Sequence, residues 1–155
     1  MAKFHSKSYD PSARNVWYRL LQRKLSDRAT LSQTLGFVDS DLCFLCNQWE
    51  TAERMLFLYL HKKDIWLTIL DTYLLNFRSF TLRWLYHDMS MIALDSYLFR
   101  PSMPNISNSN LLSITMYHIW KAHWRQYFDS APIRLTGVLP SIHKDLQMRN
   151  KHYCL

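Results

Sequence analysis

The chain has 155 residues, of which 48% are hydrophobic and 15% aromatic, which supports a cored domain and excludes a disordered one. Its 19 basic and 12 acidic residues give a formal charge of +7 with no block of like charge, a mild nucleic-acid footprint that a plain soluble basic surface would also give. Only two glycines and five prolines interrupt the chain, which favours helix over a turn-rich all-β fold.

Residues 1–11 read as a loose leader ending at Pro11. MAKFHSKSYD has no apolar core like that of a signal peptide. Ser12 is placed to cap a helix running to about Leu25, with Trp17, Leu20, Leu21 and Leu25 on one apolar face and Arg19 and Arg23 together on the other. Ser26-Asp27 restarts a short helix with Leu31 and Leu35 inward, and Gly36 stops it. Residues 37–42 lead, extended, into a polar loop that carries Cys43 and Cys46. Glu50 or Thr51 opens the next helix, which ends near Tyr59 and Leu60, and Lys62-Lys63-Asp64 marks a turn or kink. Ile65, Trp66, Ile69, Leu70, Tyr73 and Leu74 form a further amphipathic stripe, continued over residues 79–99 by Leu82, Leu85, Tyr86, Met89, Ile92, Ala93 and Tyr97. The polar stretch RPSMPNISNSN, residues 100–110, reads as a linker. A strong helix follows from Leu111 to about Phe128, with Leu112, Met116, Ile119, Trp120, His123, Trp124 and Tyr127 on one face and His118, Lys121 and Arg125 on the other. Asp129 to Pro132 ends it, and a last helix spans about Thr136 to Asn150 with a possible kink at Pro140. The longest apolar run, Met55 to Leu60, falls far short of the ~20 residues a membrane helix needs, so no membrane partner is expected. Three cysteines, one of them Cys154, make no disulfide framework, and an intracellular setting is the default, with nucleus and cytoplasm unresolved.

Cys43-x-x-Cys46 is half of a tetrahedral zinc site, because two thiolates at this spacing can reach one metal from a tight knuckle. Around it stand, in order, Val16-Trp17-Tyr18-Arg19-Leu20-Leu21, Leu25, Asp27-Arg28-Ala29-Thr30-Leu31, Cys43-Phe44-Leu45-Cys46, Glu50-Thr51-Ala52-Glu53, Met55-Leu56-Phe57 and Ile65-Trp66. This ordered string, over roughly residues 14–70, resembles the zinc-binding domain that follows the reverse transcriptase in LINE-type (non-LTR) retrotransposon polyproteins. Ile119-Trp120, Ala122-His123-Trp124-Arg125, Phe128-Asp129 and Pro132 resemble the tail that follows this domain in some such elements. The resemblance implies a Cys-Cys-His-Cys zinc set and a role in holding template RNA or target DNA near the polymerase. Arg54 occupies the family's histidine position and Tyr59 its last cysteine position, and neither is an ordinary zinc ligand. His61 is the nearest alternative third ligand, with Asp64, His87 or water as the fourth.

Catalytic signatures are missing: no Gly-rich phosphate loop, nucleophile elbow, His-Glu-x-x-His or Asp-Asp pair occurs, so no enzyme is expected. His123, on an apolar helix face, reads as an interior histidine, and the six tryptophans read more simply as core than as base-stacking platforms. The expected fold is mainly α: a helical domain over residues 12–99 with a small degenerate knuckle, a linker at 100–110 and a helical extension at 111–155. The expected function is a non-catalytic nucleic-acid-binding accessory domain of a LINE-type polyprotein, a decayed fragment, with the reverse transcriptase portion as a possible partner. Residual metal ligands would be Cys43 and Cys46, and phosphate contacts would come from Arg14, Arg19, Arg23, Lys24, Lys62, Lys63, Lys121 and Arg125. The alternative is a helical packing module with no nucleic-acid role.

Overall fold

A computed structural model of the chain describes residues 10–36, 38, 40–76, 81–95, 97–100 and 106–152. The leader before residue 10, residues 101–105 of the expected linker and Cys154 lie outside them, as does the side chain of Leu35. The described residues are mainly helical. Helix α1 is Pro11–Leu21, α2 is Arg28–Leu35, a π-helical turn covers Arg54–Leu58, and α3 is Leu60–Tyr73. Helix α4 is Leu82–Met91, α5 is Asn108–Asp129 and α6 is Leu135–His152. None of these helices is long and apolar enough to cross a membrane.

Helix α1 starts one residue before the expected cap. Asp10, not Ser12, is the N-cap: its Oδ1 accepts from the backbone N–H of Ser12 (3.0 Å) and Ala13 (3.1 Å). Pro11 then fits the first turn, where its missing N–H costs nothing. The helix also stops short of Leu25, because Arg23 turns left-handed at φ 53°. Lys24 N–H donates to Arg19 O (2.8 Å) and Arg23 N–H to Leu20 O (3.0 Å), which closes the helix as a Schellman motif with an arginine where glycine is usual. Arg19 and Arg23 are therefore not successive turns of one helix. Helix α2 follows expectation, with Asp27 Oδ1 accepting from Thr30 N–H (2.7 Å) and Gly36 left-handed at its end.

The loop that follows forms a short antiparallel bridge between Leu42 and Trp49. Cys43 N–H donates to Gln48 O (2.6 Å), Asn47 N–H to Cys43 O (2.8 Å), and Asn47 takes a left-handed φ of 52°. After Glu53 the helix widens to the π turn and breaks at Tyr59, whose φ and ψ are −70° and 138°. The helix thus ends near Tyr59 as expected, but no turn or kink follows at Lys62-Lys63-Asp64, which all sit inside α3. The break leaves carbonyls of the π turn without helical partners. Side chains of α3 take them: the Lys62 ammonium donates to Met55 O, and Trp66 Nε1 donates to Leu56 O at 2.9 Å.

The expected linker is not one where it is described. Ser107 caps α5 by accepting from Asn110 N–H (3.1 Å), and Ile106, Ser109 and Asn110 are buried. Asn108 Nδ2 donates to Leu94 O (2.7 Å) and Tyr97 O (3.0 Å), so polar residues here staple the helix start to the preceding segment. Every residue of α5 from Leu111 to Met116 is buried, and one continuous hydrophobic cluster runs from Ala13 in α1 to Leu146 in α6. Helices α5 and α6 are therefore not an appendage: α5 is the central helix, packed against α1, α3, the π turn and α6. His118, expected on the solvent side, instead bonds Asp145 of α6 through Nε2 at 2.8 Å. Trp17 and Trp66 are fully buried, as their helix faces require, and Phe57 stacks flat on Trp66 with centroids 5.0 Å apart. Trp120 is only half-buried. Helix α6 continues through Pro140.

Candidate functional site

The knuckle lies over a buried polar cluster. Glu50, which directly follows the bridge residue Trp49, is fully buried, and its Oε1 accepts from Arg28 N–H at 3.1 Å. His123 Nε2 of α5 lies 3.3 Å from the same Oε1, though not lined up as a hydrogen bond. His123 Nδ1 lies 2.9 Å from Lys62 Nζ of α3. All three side chains are sealed from solvent. A lysine ammonium can only donate, so Nδ1 is the acceptor and a neutral His123 carries its proton on Nε2, towards Glu50. The result is a chain of opposite charges joined through a neutral imidazole.

The local electrostatics agree with that arrangement. Burial pushes the Glu50 carboxyl up, but His123, the Cys43 thiol and Arg28 N–H outweigh it and hold it below the usual carboxylate range. Burial lowers His123, and the charges of Lys62 and Arg28 lower it further against the pull of Glu50. Burial brings Lys62 down to about 8, although Glu50 and both knuckle cysteines favour its charge. The Cys43 thiol is pushed up to about 11 by burial and by Glu50. Tyr59 is raised by burial and by the nearby Cys43 and Cys46.

The residues present do not fit a zinc ion. Two thiols supply only half of a tetrahedral set, and Arg54 and Tyr59 stand where the resembled family has its other two ligands. The Lys62 ammonium, close to both cysteines, adds a resident cation. Among the described residues His61, Asp64 and His87 do not join the cysteines in any group able to hold a metal ion. His61 is exposed and packs edge-on against Tyr59, with centroids 5.6 Å apart, while His87 lies 3.6 Å from Asp88 on α4.

Of the cations expected to meet phosphate, Arg14, Arg19, Arg23 and Lys24 are exposed along α1 and its exit, Lys63 on α3, and Lys121 and Arg125 on α5. None of these seven pairs with a carboxylate among the described residues. Lys62 is the exception: buried completely, it cannot reach phosphate, and its charge serves Glu50, His123 and Met55 O. Its position carried a signal, since residue 62 falls three and four places before Ile65 and Trp66, on the apolar stripe of α3. Sequence reasoning also missed Glu50 and Arg28. Arg28 is buried, donates through Nε to Ser40 O (3.1 Å) and lies 5.0 Å from the Tyr127 ring centroid. Its signal was only its place next to the capping Asp27.

No family model, curated protein or solved structure matches the chain.

Proposed function

We propose that this chain is a non-catalytic nucleic-acid-binding accessory domain derived from a LINE-type retroelement polyprotein, whose knuckle holds its shape by packing and an internal lysine. The observation that carries the reading is the set of exposed cations along α1 and its exit, Arg14, Arg19, Arg23 and Lys24, none neutralised by a described carboxylate. The ordered sequence resemblance over residues 14–70 supports it. Binding of this kind is electrostatic and sequence-independent.

The test is RNA affinity across a salt series. Changing Arg19, Arg23, Lys121 and Arg125 together to Ala should lower affinity and flatten the salt slope, by up to ~3 in log–log terms for a single strand. Unchanged binding with helical circular dichroism intact would remove the reading. A helical packing module is the second reading, favoured by the apolar side chains left on the surface, Leu60 at 64%, Trp84 at 61% and Met91 at 67% exposure. It requires no salt-dependent binding at all.

A further inference from the structure

The C-terminal half of α5 faces an open, largely apolar cleft of about 370 Å³, lined by Leu31, Val38, Trp120, Trp124, Tyr127 and Phe128. We propose that this cleft binds an unpaired base of a single-stranded nucleic acid. The inference rests on the nucleic-acid reading above and goes further, by naming the strand form and the contact.

Three observations converge on such a ligand. First, the cleft presents aromatic faces. Trp124 and Phe128 lie nearly parallel, 28° apart with centroids at 5.6 Å, and Tyr127 meets each of them edge-on. Phe128 is 72% exposed, so an apolar ring stands in water at the cleft edge. Second, the two indoles lack hydrogen-bond acceptors. Trp17 donates to Met89 O and Trp66 to Leu56 O, as buried indoles normally do. Trp120 Nε1 and Trp124 Nε1 are buried and have no partner among the described residues. A buried donor left without an acceptor is costly, and a turn of either indole towards the cleft would let a ligand's acceptor relieve it. Third, the flank is positive. Lys121 and Arg125 are exposed, four residues apart, and Arg125 precedes Phe128 by three, so all three share a stripe beside the aromatic face.

A ligand that suits all three is planar, carries ring-edge acceptors and bears negative charge nearby. A nucleobase on its phosphate backbone has these properties. An aliphatic chain offers neither acceptors nor charge, and a duplex keeps its base faces stacked inside. Aromatic stacking of this kind tolerates any base, because every base has a π face.

The experiment is fluorescence anisotropy with a labelled single-stranded RNA of about twelve nucleotides and with its duplex. Two variants probe the cleft: Phe128→Ala, at an exposed position, and Trp120→Phe, which keeps a ring and removes the N–H. Circular dichroism of each should match the parent. Phe128→Ala should weaken single-strand binding roughly five- to hundredfold, leaving the salt slope and duplex binding unchanged, and Trp120→Phe should weaken it less. Single-strand affinity unchanged in both variants, with the parent still binding in a salt-dependent way, would overturn the cleft and leave the electrostatic reading standing. A parent that binds neither strand form would overturn both. Loss of a peptide or self-association contact in Phe128→Ala, with RNA binding intact, would also overturn the base-binding cleft.

Discussion

Lys62 Nζ and His123 Nδ1 lie 2.9 Å apart although 61 positions separate them in the chain, and both side chains are fully buried. Glu50 completes the arrangement from the knuckle. Removing one member should leave its partner charge uncompensated in the core. Lys62→Met and Glu50→Gln should therefore each destabilise by ~3–5 kcal/mol. The double variant should lose less than the sum, with a coupling of ~1–3 kcal/mol. Urea denaturation of the three variants measures this, and strict additivity would show that the charges do not interact.

The same cluster sets a pH dependence. His123 is depressed below 6.5, so the unfolded chain takes up its proton first as pH falls, and folding stability drops below about pH 6.5. Glu50 is depressed below 4.5, so its contribution is present above that value and lost as pH falls through its folded pKa. Lys62 is brought from 10.5 down to about 8, so the folded protein releases its proton first and stability rises as pH passes upward through about 8. Cys43, raised from 9.0 to about 11, opposes that rise once pH exceeds 9. Melting temperature against pH should climb from acid to about pH 9. In Lys62→Met the segment between pH 8 and 9 should be flat. A parent curve already flat there would place Lys62 in contact with water.

Core aromatic residues should dominate stability. Trp17→Ala and Trp66→Ala should each cost ~3–5 kcal/mol, a large share of a total of ~5–15 kcal/mol. Trp66→Phe isolates a smaller effect: the ring remains but Leu56 O loses its donor, which should cost ~1–3 kcal/mol. Unchanged denaturation midpoints in the alanine variants would contradict the observed packing.

A chelator should leave the melting temperature unchanged, since Arg54 and Tyr59 give Cys43 and Cys46 no further ordinary zinc ligands and no described His, Asp or Glu joins them. Arg54→His with Tyr59→Cys restores the ligand types of the resembled family and should make stability zinc-dependent, because binding free energy adds to folding free energy. A parent protein that purifies with one equivalent of zinc and unfolds on chelation would refute the packed-knuckle account.

Helix ends offer the most direct gain in stability. Arg23 is exposed and left-handed, a conformation that costs a residue with a Cβ ~1–2 kcal/mol. Arg23→Gly should raise the melting temperature by removing that cost, less the greater freedom glycine has when unfolded. A lowered melting temperature would mean that the arginine side chain packs in a way that outweighs the strain.

Much of this fold was legible because apolar spacing reports helix faces directly. Trp17 and Trp66 went inside, and Asp27 and Gly36 bounded α2 as their chemistry dictates. What was not legible lay where polar residues do interior work. Asn108 and Asn110 look like linker composition, yet one staples a helix start and the other is buried. Lys62 looks like a surface charge, and only its register on α3 betrays burial. The helix end near Tyr59 was legible, but the further turn expected at Lys62-Lys63-Asp64 was not there, and nothing local distinguished the π turn from a regular one. Glu50 and His123 lie 73 residues apart, and no spacing rule connects them.

The central position of α5 has a consequence for synthesis. Ala13, Val16, Trp17 and Leu20 of α1 form one buried face, and α5, some ninety residues later in the chain, is the helix α1 packs against most extensively. As the chain leaves the ribosome, α1 emerges long before that partner exists. Folding must wait for a contact between distant segments, which makes it slow and leaves an aromatic face exposed meanwhile. A chain ended near residue 100 would never acquire the partner, and the first helix would remain a sticky amphipathic peptide for chaperones and proteases to find.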